Sequence, residues 1–281
     1  MQFSISDILW ILLVLALLFP ALQRKSLEVK RLNMIRQLEK KRHSRVIALI
    51  HRQETLSFLG FPFTRYIDIE DSESILRAIR LTPETVPIDM IIHTPGGLVL
   101  AAEQIAKALV RHEAPVSVFV PHYALSGGTL IALAGDSIVM DQNAVLGPLD
   151  PILGEYPVTA VIEVTKKKPI KETDDKTLIF ANIGKKAIDQ VCEAIIDILV
   201  SNNMEKDKAT NIAKLLTSGR WTHDYPIEFH EAKKIGLPVK VGVPPEIYKL
   251  MDLYPQATGM PSNVQYIPVP YRTEPESNEK S

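Results

Sequence analysis

A single cysteine in 281 residues removes two classes of explanation together. Cys192 has no second thiol with which to close an intrachain disulfide, and no group of Cys and His residues has metal-ligand spacing. Neither a P-loop nor a G-x-G-x-x-G fingerprint is present, so nucleotide and dinucleotide chemistry lack their usual phosphate cradle and no cofactor is expected. Net charge is also nearly absent, with 32 Lys and Arg against 33 Asp and Glu, leaving −1. No nucleic-acid partner is expected. Cys192 falls on an apolar helical face, which predicts a buried thiol in a reducing compartment rather than a nucleophile.

What the chain does have is a pair of glycine turns, each following a short apolar run. Pro87 to Thr94 reads as a buried strand that stops at Pro95, where Gly96 and Gly97 permit unusual dihedrals and close backbone approach. Pro115 to Val120 is a second β-rich run, and Ser126-Gly127-Gly128-Thr129 then opens a small-residue helix. Free N–H groups at such a turn and helix start can hold an oxyanion while the Ser126 hydroxyl attacks an acyl carbon. Either motif alone is ordinary, because Pro-Gly-Gly is common in turns and Ser is a common N-cap. Their succession predicts Ser126 as nucleophile, with Gly97 and Gly127 as oxyanion donors and Gly96 lining the site.

Through Ile92 to Gly97, Pro121 to Thr129, Leu146-Gly-Pro-Leu-Asp-Pro151 and Trp221-Thr-His-Asp-Tyr-Pro226, residues 45–245 resemble the Clp protease and crotonase superfamily. The likeness is greater to the membrane-associated, signal-peptide-peptidase-A-like group that includes the serine dehydrogenase proteinases. That resemblance implies an α/β fold, a repeated ββα spiral, and a serine endopeptidase that is usually a homo-oligomer.

The base is harder to read. Clp-type proteases carry a histidine about twenty-five residues after the serine, whereas no histidine lies between Tyr123 and Thr222 here. The signal-peptide-peptidase-A branch uses a lysine that opens a long helix. Lys176 matches, following the capping cluster Thr173-Asp174-Asp175 and starting the helical run Leu178, Ile179, Ile183, Ala187, Val191 and Ile195. As a base it must lose its proton near pH 7, which requires burial or neighbouring positive charge. Lys186 is the second lysine; Lys166, Lys167, Lys168 and Lys171 read as a solvated loop. Among histidines, His122 precedes the nucleophile by four residues and suits a structural, site-lining role, while His93 and His223 can orient groups and neither is the expected base. Asp150 lies where the Clp-type histidine would stand and can line the cleft, although Leu-Asp-Pro is also what a tight turn requires.

The N-terminus carries the apolar run Ile8 to Leu22, preceded by Asp7 and followed by Arg24, Lys25, Lys30 and Arg31. This predicts a single-pass transmembrane helix, residues 1–23, with the remaining chain cytoplasmic by the positive-inside rule; a cleaved signal or re-entrant anchor is the alternative. Residues 24–44 read as a basic amphipathic helix suited to anionic membrane lipid. A single peptidase domain then spans 45–245, and a proline-rich, polar tail spans 246–281, irregular beyond about residue 258. Expected elements include strands near 45–50, 65–69, 87–93, 115–120, 137–141 and 239–243, with helices at 72–81, 98–112, 126–135, 174–202 and 205–215 and one closed by Gly236. The function expected is cleavage of hydrophobic or membrane-derived peptides by a Ser126/Lys176 dyad. A non-hydrolytic membrane scaffold on the same fold, and crotonase-like thioester chemistry, are the alternatives.

Overall fold

The computed structural model describes residues 5–52 and 66–254. A 38-residue helix, α1 (Ile5–Arg42), leads into strand β1 (Arg45–Ile50), helix α2 (Ile69–Arg80), β2 (Ile88–His93), α3 (Val99–Val110), β3 (Val116–Val120), β4 (Tyr123–Ala124), α4 (Gly127–Leu133), β5 (Ser137–Met140) and β6 (Val145–Leu146). Then come the hairpin strands β7 (Ile152–Leu153) and β8 (Tyr156–Pro157), helices α5 (Val158–Lys167), α6 (Asp175–Ser201) and α7 (Lys206–Thr217), β9 (Ile227–Glu228), α8 (Phe229–Ile235), β10 (Val239–Val241) and α9 (Pro245–Asp252).

The main sheet is parallel throughout, in the order β1-β2-β3-β5-β10. Helices cover both faces, so β2 is buried at all six positions and its sequence reads as an almost continuous apolar run. Side-chain alternation sorts that run: Ile88, Met90 and Ile92 enter the large core with Ile105, Leu109, Ile195 and Ile198, while Ile91 enters a smaller core with Leu38, Phe119, Ile247 and Leu250. Asp89 shares the second face, buried, and accepts hydrogen bonds from Arg42 Nε (2.5 Å) and Ser44 Oγ (2.5 Å). That ion pair fastens the end of α1 to β2; removing Arg42 would leave a buried carboxylate without its charge partner.

Several expectations change. The expected strand at 65–69 reduces to one bridge between Ile67 and Gly97, because Asp68 caps α2 and the helix begins at Ile69. The basic stretch at 166–171 is only partly loop, since α5 continues to Lys167 with an apolar face packed on α6. Pro244 and Pro245 do not end the ordered domain. Proline at the first helical position is compatible with α9, whose Ile247 and Leu250 close the second core. Residues 5–42, which include most of the expected anchor and of the expected amphipathic segment, form one uninterrupted helix, which meets the domain from Arg31 onward: Arg31 Nε donates to Leu253 O (2.8 Å), and Met34, Ile35 and Leu38 pack on the second core. Among the described residues no helix is long and apolar enough to cross a membrane. Most side chains of the Ile8–Leu22 run, and the tail beyond residue 254, lie outside the described residues.

Candidate active site

The site forms where the parallel strands end. Thr94, just past β2, accepts at its carbonyl from Leu125 N (3.0 Å) and donates its N–H to Tyr123 O (3.2 Å), joining the two loops that follow β2 and β3. Ser126 stands at the resulting turn with φ 50° and ψ −119°. An L-residue held there costs on the order of 1–3 kcal/mol, and such strain collects at functional sites. An N-cap serine instead has extended dihedrals and bonds a helix N–H through its side chain; Ser126 does neither. The ordinary N-cap reading of this serine therefore fails, and the geometry is a sharp strand-to-helix turn that leaves the hydroxyl uncommitted to the helix.

Glycine is required beside it. A Cβ on Gly96, at φ 108°, would lie 2.8 Å from Ser126 Cβ and 2.9 Å from Leu125 O. A Cβ on Gly97 would lie 2.2 Å from Ile67 O. Ile67 N donates to Gly96 O (2.7 Å) and Leu98 N to Ile67 O (2.8 Å), the pattern of a parallel bridge, which turns the Gly97 N–H to the opposite side. A Cβ on Gly127 would lie 3.6 Å from Gly97 N, and one on Gly96 3.3 Å from Gly127 N, so the two turns meet at one corner. Among the described residues neither N–H has an acceptor. Two free amides beside a strained serine can bind developing negative charge.

Thr129 braces this corner from within: its Oγ1 is 2.8 Å from Ala124 O and accepts Gly147 N–H at 2.9 Å. Gly147 begins the loop that carries Asp150, whose side chain is 1 % exposed. Asp150 Oδ1 accepts from His223 Nδ1 at 2.8 Å, and Oδ2 has no partner among the described residues. His223 is 27 % exposed and lies in the turn between α7 and β9. Two long-range links bring it there. Leu149 N donates to Leu216 O (2.8 Å), and Leu146 pairs with Ile227 across the antiparallel β6–β9 ladder. Ser126, Gly97, Gly127, Asp150 and His223 line one cavity of about 370 Å³, otherwise walled mainly by apolar side chains such as Leu130, Leu149, Ile152 and Val191.

Lys176 lies elsewhere. It opens α6 as expected, and Asp174 points onto the helix, accepting Thr177 N at 3.0 Å. Yet the lysine is exposed, its Nζ 5.6 Å from the Phe180 ring centroid, and it lines a separate cavity of about 450 Å³ with Tyr156, Val161 and Val164. Lys186 is also exposed on α6. His122 is exposed and stacks toward buried His93, their ring centroids 5.5 Å apart. Burial, with the charges of His122, Arg52 and His51 adding to it, pushes His93 down to about 4. Cys192 is half-buried against the core, and burial raises its thiol above the ordinary range. Among the described residues no group of three or more His, Cys, Asp or Glu can hold a metal ion.

A family model described as ClpP-like SDH-type serine proteinase matches residues 1–281. The chain is 52% identical over 272 residues to uncharacterized protein MJ0137 of Methanocaldococcus jannaschii, spanning 97% of this chain and 95% of that one. It is 51% identical over 278 residues to uncharacterized protein MJ1495 of the same organism, spanning 99% and 94%. Among solved structures, a 1510-N membrane-bound stomatin-specific protease in complex with a substrate peptide aligns with TM-score 0.44 and 22% identity, over 72% of this chain and 82% of that one.

Proposed function

The chain belongs to the ClpP-like SDH-type serine proteinases and is a serine peptidase; from that membership we propose that Ser126 is its nucleophile and that His223, held by Asp150, is its general base. The observation that carries the choice of base is the 2.8 Å Asp150–His223 bond at the cavity that Ser126 lines. Asp150 accepts from Nδ1, so a neutral ring presents bare Nε2. Nε2 takes the Ser126 proton as Oγ bonds to the substrate carbonyl carbon, and the buried Asp150 carboxylate stabilises the imidazolium that forms. The Gly97 and Gly127 N–H groups hold the oxyanion, each worth about 3 kcal/mol in comparable sites. Collapse breaks the C–N bond while His223 returns its proton to the leaving amine. Water, deprotonated by His223, then attacks the acyl-enzyme, releasing the acid and restoring Ser126. Among the described residues Ser126 Oγ makes no hydrogen bond, and contacts of this kind commonly tighten only with substrate bound.

The apolar cavity wall supports hydrophobic peptides as substrates. The apolar run at the start of α1, with basic residues after it, supports anchoring at anionic membrane lipid and a cytoplasmic domain. Exposed Leu98, Leu100, Tyr156, Ile170 and Ile179 support association of copies, and the succession of strand-turn-helix units supports the ββα spiral. The test is fluorophosphonate labelling with the adduct mapped by mass spectrometry. Labelling at Ser126 that His223→Ala abolishes and Lys176→Met leaves intact is the expected result; the converse assigns the base to Lys176.

A further inference from the structure

The glycine turn is held from behind by a second carboxylate–imidazole–hydroxyl chain. His51 Nε2 lies 3.2 Å from Asp71 Oδ2, His51 Nδ1 lies 2.9 Å from Thr94 Oγ1, and Gly96 N donates to Thr94 Oγ1 at 3.2 Å. His51 and Thr94 are buried. The directions are mutually consistent. An ionised carboxylate only accepts, so Nε2 carries a proton; in the neutral ring Nδ1 then accepts the Thr94 O–H, which leaves the Thr94 oxygen free to accept Gly96 N–H. Thr94 Oγ1 also lies 3.4 Å from Gly96 O, but the shorter contact to His51 Nδ1 takes the hydroxyl proton, and every hydrogen in the chain then points toward Asp71.

Asp71 belongs to the first turn of α2, where its side chain also accepts Asp68 N (3.1 Å), and Ile67 immediately before that cap bonds Gly96 O and Leu98 N. The start of α2 therefore grips the turn twice, at Gly96 N through the side-chain chain and at Gly96 O and Leu98 N through the backbone. Gly96 O and Gly97 N share one peptide plane, so fixing both polar groups of Gly96 fixes where the Gly97 N–H points. Thr94 Cγ2 also lies 2.6 Å from where a Cβ on Gly128 would be, so the same residue supports the floor of the nucleophile turn.

We propose that Asp71, His51 and Thr94 are positioning residues that aim the Gly97 N–H at the oxyanion. The proposal rests on the peptidase reading above. Because the oxyanion forms only after attack, loosening this chain lowers kcat and leaves substrate binding alone.

The test compares wild type with Thr94→Val, Thr94→Ser and Asp71→Asn in the full chain, using peptide hydrolysis, fluorophosphonate labelling rate and thermal unfolding. Thr94→Val keeps the side-chain shape and removes the hydroxyl. Expected is a fall in kcat on the order of 10- to 100-fold with KM within about threefold, a parallel fall in labelling rate, and recovery by Thr94→Ser to within about threefold. Asp71→Asn gives the same split more weakly, and it serves if Thr94→Val does not fold. A variant with wild-type kcat, or one whose loss lies in KM or in folding alone, overturns the proposal. Wild-type protein that neither hydrolyses peptide nor labels at Ser126 overturns the peptidase reading itself, and the positioning role with it.

Discussion

The glycine turn at residues 95–97 lies between two sets of side chains with the same composition and different final acceptors. Behind it, part-exposed Asp71 and buried His51 and Thr94 form a chain whose last lone pair is taken by Gly96 N–H. In front, Asp150 and His223 form the corresponding pair, and Ser126 stands across an open cavity with its hydroxyl uncommitted. Aspartate, histidine and hydroxyl thus do not make a catalytic site by their presence. The inner set spends its hydrogen bonds on the fold, while in the outer set His223 Nε2 and Ser126 Oγ make no hydrogen bond among the described residues. Burial does not sort the two sets, since Asp71 is 27% exposed and Asp150 1%; the identity of the final acceptor does.

Breaking the outer set should have the largest effect. Ser126→Ala is expected to lower kcat by about 10⁵- to 10⁶-fold with an unchanged circular-dichroism spectrum, as removal of a nucleophile does in comparable peptidases. Asp150→Asn should cost about 10⁴-fold, since an amide cannot hold the ring in the same tautomer or stabilise the imidazolium; a loss below tenfold would detach Asp150 from the mechanism. The inner set should move kcat far less, as the Thr94 variants test. A third histidine sharpens the contrast, because His93 has neither a carboxylate nor a hydroxyl, and both ring nitrogens lack partners among the described residues. Its folded value of about 4 lies below the ordinary 6.5. The unfolded chain therefore binds a proton that the folded chain refuses. Stability from this group is complete above pH 6.5 and declines as pH falls toward 4, by about 3 kcal/mol. Urea unfolding at pH 7 and pH 4.5 should show that decline, and His93→Phe should reduce it; an equal decline in the variant would remove His93 as the cause. The smallest effect is on the strained turn itself. Ser126→Gly should relieve the positive φ, offset partly by glycine's greater unfolded freedom, and raise Tm by a few degrees while abolishing hydrolysis.

The legible parts of the molecule are those whose signals are local. Strands β1, β2, β3 and β5 fall within a residue or so of the apolar runs that predict them, and α3, α6 and α7 follow their helical spacing. The turns at Gly96-Gly97 and at Ser126 were legible as turns because a turn needing no side chain leaves its mark in adjacent residues. The partner of His223 was not. Asp150 and His223 meet through a two-residue ladder and one loop-to-helix bond, neither of which has a sequence period. Each sits in a short polar turn that also satisfies ordinary turn chemistry. Lys176 drew notice for the opposite reason: its capping cluster is a strong local signal, and it marks the start of α6 correctly while saying nothing of what that helix end faces. The hidden helix α9 teaches the same lesson, since two prolines that look like an ending serve as a first turn.

The order in which the front set is spread along the chain has a consequence for timing. Ser126 and both amides come from the first half of the domain, Asp150 follows β6, and His223 comes only after α5, α6 and α7. Chains grow from the N-terminus, and their early parts begin to fold first. On the proposed mechanism a polypeptide still on the ribosome makes its nucleophile early and receives its base late. A nascent chain, or a fragment ending before Trp221, would thus hold a serine with nothing to deprotonate it. On that mechanism the topology would withhold peptide-bond cleavage until nearly the whole domain has been made.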